Sequence, residues 1–253
     1  LKLKPEIFFA LRLVIMGIDT RFWGPSGWQL IHYIAFHSKS PQQFLLGIKD
    51  ILPCKFCRES TEKFIKELPI SRNAGKWVYD LHNKVNHKLR TQCKDDPNVI
   101  IPEPDPSFEE VKQKYETMKL KGEVLGRDFL FSIAANYPEN PEPEQMATQR
   151  TFLKQLAEVY PINFTEYLHD HIPALESRKD YMKWMYGLLS LFASKTHSIL
   201  PSYKGYVQRL MYYQSGCDKK TYRGKTCRRL NEGGRTKVRD HRRTYRVSHS
   251  VLL

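Results

Sequence analysis

An all-α fold is what this chain predicts, and three observations lead there. Trp77, Leu81, Val85 and Leu89 recur at i, i+4, i+8 and i+12, the spacing of one helix face. Phe44, Ile48 and Leu52 repeat in the same way, and Trp28, His32 and Ala35 share a face further upstream. Short connections carrying Pro and Gly join these segments, which argues for a helical bundle.

Residues 1–15 read as an N-terminal extension. Ile7 to Ile15 is apolar but short, is broken by Arg12 and lacks a small-residue cleavage site, so it is not a signal peptide; Met16-Gly17 resembles a natural start. The first helix follows a turn punctuated by Gly24, Pro25 and Gly27, with Ser26 as N-cap. Phe44 to Leu52 forms the second. The third opens at Cys54, runs to about Leu68 with Phe64 and Leu68 inward, and is closed by Pro69.

The fourth helix carries Trp77, Leu81, Val85 and Leu89 as its core face, with Tyr79, His82, Asn83 and Asn86 as a second stripe beside it. Asn and His inside a helix give up propensity, so that stripe lines a ligand site or meets a polar partner. The competing reading of Trp28 and His32 is plain core. Glu103-Pro104-Asp105-Pro106 is a rigid turn, and Phe108 to Leu120 is a short, charged fifth helix ending near Gly122.

Of 253 residues, 41% are hydrophobic and 27% charged, as in a soluble globular chain of one large or two modest domains. The net charge of +14 is unevenly placed. From Pro201 onward 14 Lys/Arg stand against 3 Asp/Glu, whereas residues 1–200 hold 27 and 24, so the basicity belongs to a tail. Five cysteines are too few for a disulfide-stapled secreted domain. No apolar run reaches membrane-spanning length, so no membrane contact is expected.

Leu52-Pro53-Cys54-Lys55-Phe56-Cys57 is where chemistry concentrates. Pro53 fixes the approach to a helix, and Cys54 falls at its N-terminus, where unpaired N–H groups and the macrodipole favour a thiolate over the usual pKa of ~8.5. Cys57 lies one turn on, within reach of a small, reversible disulfide. Half of a zinc site is the alternative. His82 follows Cys57 after a gap of 24 residues, beyond the ~12–15 of a compact finger, and no second C-x-x-C exists. On these residues alone, redox, metal and incidental readings stay open.

Taken together, Trp23-Gly24-Pro25-x-x-Trp28-x-x-x-His32, then Pro53-Cys54-x-x-Cys57, then His82-Asn83-x-Val85-Asn86-x-Lys88-Leu89 resemble the Erv/Alr family of FAD-linked sulfhydryl oxidases over about residues 22–115. The Trp-Gly-Pro variant and the basic tail are similar to versions encoded by large cytoplasmic DNA viruses. The resemblance implies a four-helix bundle with a short fifth helix in an oxidase domain over residues 16–120, with FAD at its mouth. It implies cofactor contacts from Gly24, Trp28, His32, His82, Asn83, Val85, Asn86, Lys88 and Leu89, with Tyr79 stacking one turn earlier and no metal.

It further implies that Cys57 sits beside the flavin while Cys54 is attacked by protein dithiol substrates, with O2 the final acceptor and H2O2 the product. A homodimer is expected, located in the host cytoplasm (viral factory) or the virion. Where many members carry a structural cysteine this chain has Tyr79, so that bridge is absent. A shuttle role for Cys217 and Cys227, ten residues apart, is weaker than a plain tail disulfide or two thiols.

A second helical domain is expected over residues 121–215. At a shift of 108, Phe152-Leu153, Leu156, Val159, Pro161 and Phe164 fall on Phe44-Leu45, Ile48, Ile51, Pro53 and Phe56. At 107, Lys183-Trp184 and Tyr186 fall on Lys76-Trp77 and Tyr79; at 99, Gly126 and Ile133-Ala134 fall on Gly27 and Ile34-Ala35. This reads as a degenerate repeat. Cys54 and Cys57 become Ile162 and Thr165, His82 and Asn83 become Leu189 and Ser190, and Trp28 and His32 become Arg127 and Phe131. It resembles the flavin-less pseudo-domain of quiescin-type oxidases; chance similarity of helical segments is the competing reading. Residues 216–253 form a basic tail, either solvated or contacting nucleic acid or acidic protein. The rival for the whole chain is a basic structural or nucleic-acid-associated protein with a vestigial or metal-holding C-x-x-C.

Overall fold

The computed structural model describes residues 18–95, 101–120 and 122–213. The extension expected over 1–15, Cys217, Cys227 and the basic tail lie outside the described residues. Every regular element among those described is an α-helix. Five form a first half: α1 (Thr20–His37), α2 (Gln42–Ile51), α3 (Lys55–Glu67), α4 (Ala74–Asp95) and α5 (Phe108–Glu116). Five more follow: α6 (Arg127–Ala135), α7 (Pro143–Val159), α8 (Thr165–Asp170), α9 (Arg178–Thr196) and α10 (Tyr203–Tyr212).

The first helix begins earlier than the turn residues predict. Asp19 is its N-cap, accepting from the Arg21 N–H at 2.8 Å, and Pro25 lies inside the helix. Near a helix start a proline forfeits only one backbone bond. Ser26 caps a different helix. Its hydroxyl accepts the N–H groups of Asp128 and Phe129 at 3.1 and 3.4 Å, serving α6, whose own N-cap Gly126 has no side chain. The fifth helix stops at Glu116, four residues short of the expected Leu120.

The two halves pack α1 on α6 and α2 on α7. Across this seam counterparts meet reciprocally. A Cβ on Gly27 would lie 3.1 Å from the Phe129 ring, and one on Gly126 would lie 2.8 Å from Leu30, the residue matching Phe129. Phe44 stacks on its counterpart Phe152 with centroids 6.1 Å apart. Each half thus sets a glycine against an apolar side chain of the other. Gly126 also sits at φ +71°, where an L side chain is strained.

Corresponding helices are pinned by corresponding bonds. The Trp77 indole N–H donates to the carbonyl of Leu68, the C-cap of α3, and that of Trp184 to His171, the C-cap of α8. The Tyr79 hydroxyl donates to the Pro106 carbonyl at 2.9 Å, and that of Tyr186 to Pro201 at 2.7 Å. Ser107 and Ser202 then cap α5 and α10. The Asp19 N–H donates to the Tyr213 carbonyl at 2.8 Å, tying the start of α1 to the end of α10.

Candidate active site

Cys54 is the N-cap residue of α3, with extended φ and ψ of −122° and 124°, and Cys57 lies in its first turn. This is the placement that Pro53 predicts. The approach is held by the Arg58 guanidinium, which donates to the Leu52 carbonyl at 2.6 Å. Cys54 is only 3% exposed and Cys57 is half-buried. A substrate thiol aimed at Cys54 must therefore displace what covers it.

Side chains of α1, α4 and α5 together form an aromatic and imidazole wall. The Trp28 and His82 rings stack at 3.8 Å and 12°. His32 Nε2 and His82 Nδ1 are 3.1 Å apart, and the His32 ring stacks on Tyr115 of α5 at 4.8 Å and 12°. His32 is buried, and its Nδ1 has no hydrogen-bond partner among the described residues. Burial, then the neighbouring His82 and Lys114, hold His32 well below the ordinary histidine range, so its ring is neutral. Tyr115 was missed in the sequence: one tyrosine in a charged helix gives no local sign of the ring it meets. Burial pushes its hydroxyl pKa up, leaving it protonated.

The second stripe of α4 divides. Tyr79, His82 and Asn86 turn toward α1, α5 and the segment before α5, whereas Asn83 and Lys88 line a groove of about 620 Å³ between α3 and α4. Phe56, Ser60 and Phe64 form the opposite bank, and Lys88 is hydrogen-bonded to Ser60. Burial pulls the Lys88 ammonium below its ordinary pKa, while Cys57, Cys54 and Glu59 act against that.

Tyr79 donates to the Pro106 carbonyl and packs edge-on against Phe108 at 5.5 Å. Asn86 donates to Asp105 at 2.7 Å. Val85 and Leu89, expected on the core face, are only half-buried, as are Phe64 and Leu68; Trp77 and Leu81 are fully buried. The core therefore closes at the Trp77 end of α4 and stays loosely packed at the dithiol end. Gly24 would meet no protein atom within 4 Å if given a Cβ.

Among the described residues no group of three or more His, Cys, Asp or Glu gathers as a metal site, and no helix is long and apolar enough to cross a membrane.

A helical bundle that carries a Cys-x-x-Cys pair at a helix N-terminus and an aromatic-imidazole wall has the parts that thiol-redox chemistry needs. The Erv1 / Alr family model matches residues 25–103. An FAD-linked sulfhydryl oxidase of African swine fever virus (isolate Pig/Kenya/KEN-50/1950) is 30% identical over 122 residues, covering 43% of this chain and 92% of the relative. The mitochondrial FAD-linked sulfhydryl oxidase ERV1 of Saccharomyces cerevisiae is 35% identical over 71 residues, covering 25% of this chain and 38% of the relative. No solved structure matches. The chain belongs to the Erv1/Alr family.

Proposed function

We propose that this protein is an FAD-dependent sulfhydryl oxidase that introduces disulfides into protein thiols. The observations that carry the reading are a wall of Trp28, His32, His82 and Tyr115 and, in the same bundle, a Cys-x-x-Cys pair on a helix N-terminus. The residues fit the cofactor. Flat rings offer stacking surfaces, the buried His32 Nδ1 awaits a polar partner, and Asn83 and Lys88 supply a donor and a cation for a dinucleotide. Gly24, Val85 and Leu89 leave backbone and apolar surface accessible on the same helices.

In the relay, a substrate thiolate attacks the Cys54 sulfur of the Cys54–Cys57 disulfide, forming a mixed disulfide and releasing Cys57 as thiolate. A second substrate thiol then attacks the mixed disulfide, so the substrate leaves oxidised and the two cysteines are left reduced. FAD held by these residues would supply the two-electron chemistry that carries that pair, with two protons, to O2 as H2O2. The chain positions the pair through Pro53, the Arg58–Leu52 bond and the α3 N-terminus, and Lys88 stabilises negative charge at the sulfurs.

Residues 122–213 act as a degenerate, flavin-less repeat in this reading. They pack on α1 and α2, so a homodimer would use a different face of the first half. The viral relatives support a viral protein, and the host cytoplasm or the virion is the location this reading gives it.

Cys57→Ser tests the relay. Dithiothreitol-driven oxygen uptake should be lost while FAD stays bound; wild-type turnover by this variant would refute the proposed order of events.

A further inference from the structure

The segment between α4 and α5 is fastened twice. The Tyr79–Pro106 bond is one fastening, and the second half repeats it as Tyr186–Pro201. The other fastening has no counterpart. The Arg90 guanidinium grips the Asp105 carboxylate through two N–H groups at 2.6 and 2.9 Å and the Glu103 carbonyl at 2.7 Å. Asn86 adds a third bond to Asp105 at 2.7 Å. At the matching places the second half has His197, Leu200 and Ala193, so the carboxylate clamp is gone.

The wall disappears with the clamp. Tyr115 of the first half corresponds to Leu210, His32 to Phe131 and His82 to Leu189. Downstream of the clamp the contacts run straight to the site. Ser107 and Glu110 close a capping box that starts α5, Phe108 packs on Phe36 and Tyr79, and Tyr115 lies flat on His32 and Phe36. The bond shared by both halves is thus architectural. The bonds found only beside the wall serve the wall.

We propose that Asp105, held by Arg90 and Asn86, is a positioning residue for the cofactor site: it seats α5 so that Tyr115 closes the face of His32. This rests on the FAD reading above. The pair is not a strong source of folding stability, since both side chains keep 31% and 24% of their surface exposed, where an ion pair contributes about 1 kcal/mol or less. Its geometry is the bidentate fork that sets orientation. Arg90 and Asn86 hold the Asp105 carboxylate below its ordinary range, so the clamp stays ionised throughout the neutral and mildly acidic range.

The test measures FAD dissociation from the full chain by flavin fluorescence, alongside circular dichroism and melting of the apo-protein. Asp105→Asn and Arg90→Met should each weaken FAD binding by about tenfold, equivalent to about 1.4 kcal/mol, with little change in apo melting. The exchanged pair Arg90→Asp with Asp105→Arg should recover most of the loss. Tyr186→Phe should lower melting and leave FAD binding unchanged. If wild type binds FAD and both single variants, still folded, bind it equally well, the positioning role is overturned. An exchanged pair no better than either single variant overturns it too, and Arg90→Lys, retaining charge without the fork, gives a reading should Asp105→Asn fail to fold. A wild type that takes up no FAD at all would instead refute the oxidase reading.

Discussion

If the second half is the repeat proposed above, the two halves differ most in what fills their centres. In the first half Val85 and Leu89 of α4 are half-buried. In the second, the residue matching Val85 is Phe192, fully buried, stacked on Tyr160 at 4.2 Å and edge-on to Phe164 at 5.3 Å. Phe164 matches Phe56 and Tyr160 matches Leu52. Likewise Phe131, in the place of His32, packs edge-on to Tyr206 at 4.5 Å. The second half fills these positions with buried aromatic rings; the first leaves Val85 and Leu89 half-buried and sets His32 where the second has Phe131. The difference teaches that a ligand site in a bundle is made by withholding core residues as much as by adding ligands.

The comparison breaks most visibly if the filling is exchanged. Val85→Phe should give the first half the packing of the second and reduce flavin content by tenfold or more, about 1.4 kcal/mol at least. Helicity should be unchanged by circular dichroism. Full flavin occupancy in this variant would mean that the space at Val85 is not part of the site. The reverse change, Phe192→Val, opens a cavity in a closed core. It should destabilise the chain by about 2–3 kcal/mol in urea unfolding without creating a second flavin site.

A smaller effect separates His32 from Phe131. Buried and neutral when folded, His32 binds a proton more readily once unfolded, where its pKa returns to about 6.5. Its contribution is therefore intact above that pH and is lost as the pH falls below it, by up to about 1.4 kcal/mol per pH unit. Apo-protein melting between pH 7 and 5 should show this slope, and His32→Phe should flatten it. An unaltered slope in that variant would assign the titration to another group.

Much of the first half was legible because helices announce themselves locally. The stripe through Trp77 and Leu81, the proline before Cys54 and the pairing of Trp28 with His32 all act within a few residues. What escaped notice depends on partners far along the chain. Ser26 has the residue type of a cap, yet the helix it caps begins about a hundred residues later. Val85 continues an apolar stripe, but periodicity reports which way a side chain points and not whether anything covers it. Asn86 sits on the polar face as expected, and only the return of the chain at Asp105 decides its partner. The sequence sets Phe44 and Phe152 in matching apolar register; that these two rings stack on each other required the fold.

Flavin stoichiometry of the purified full-length chain tests the central claim most directly, read from the flavin absorbance band against protein concentration. One FAD per chain is the result expected, with the first half loaded and the second closed by its own side chains. A colourless protein that takes up no FAD on reconstitution, or a chain carrying two, would contradict it.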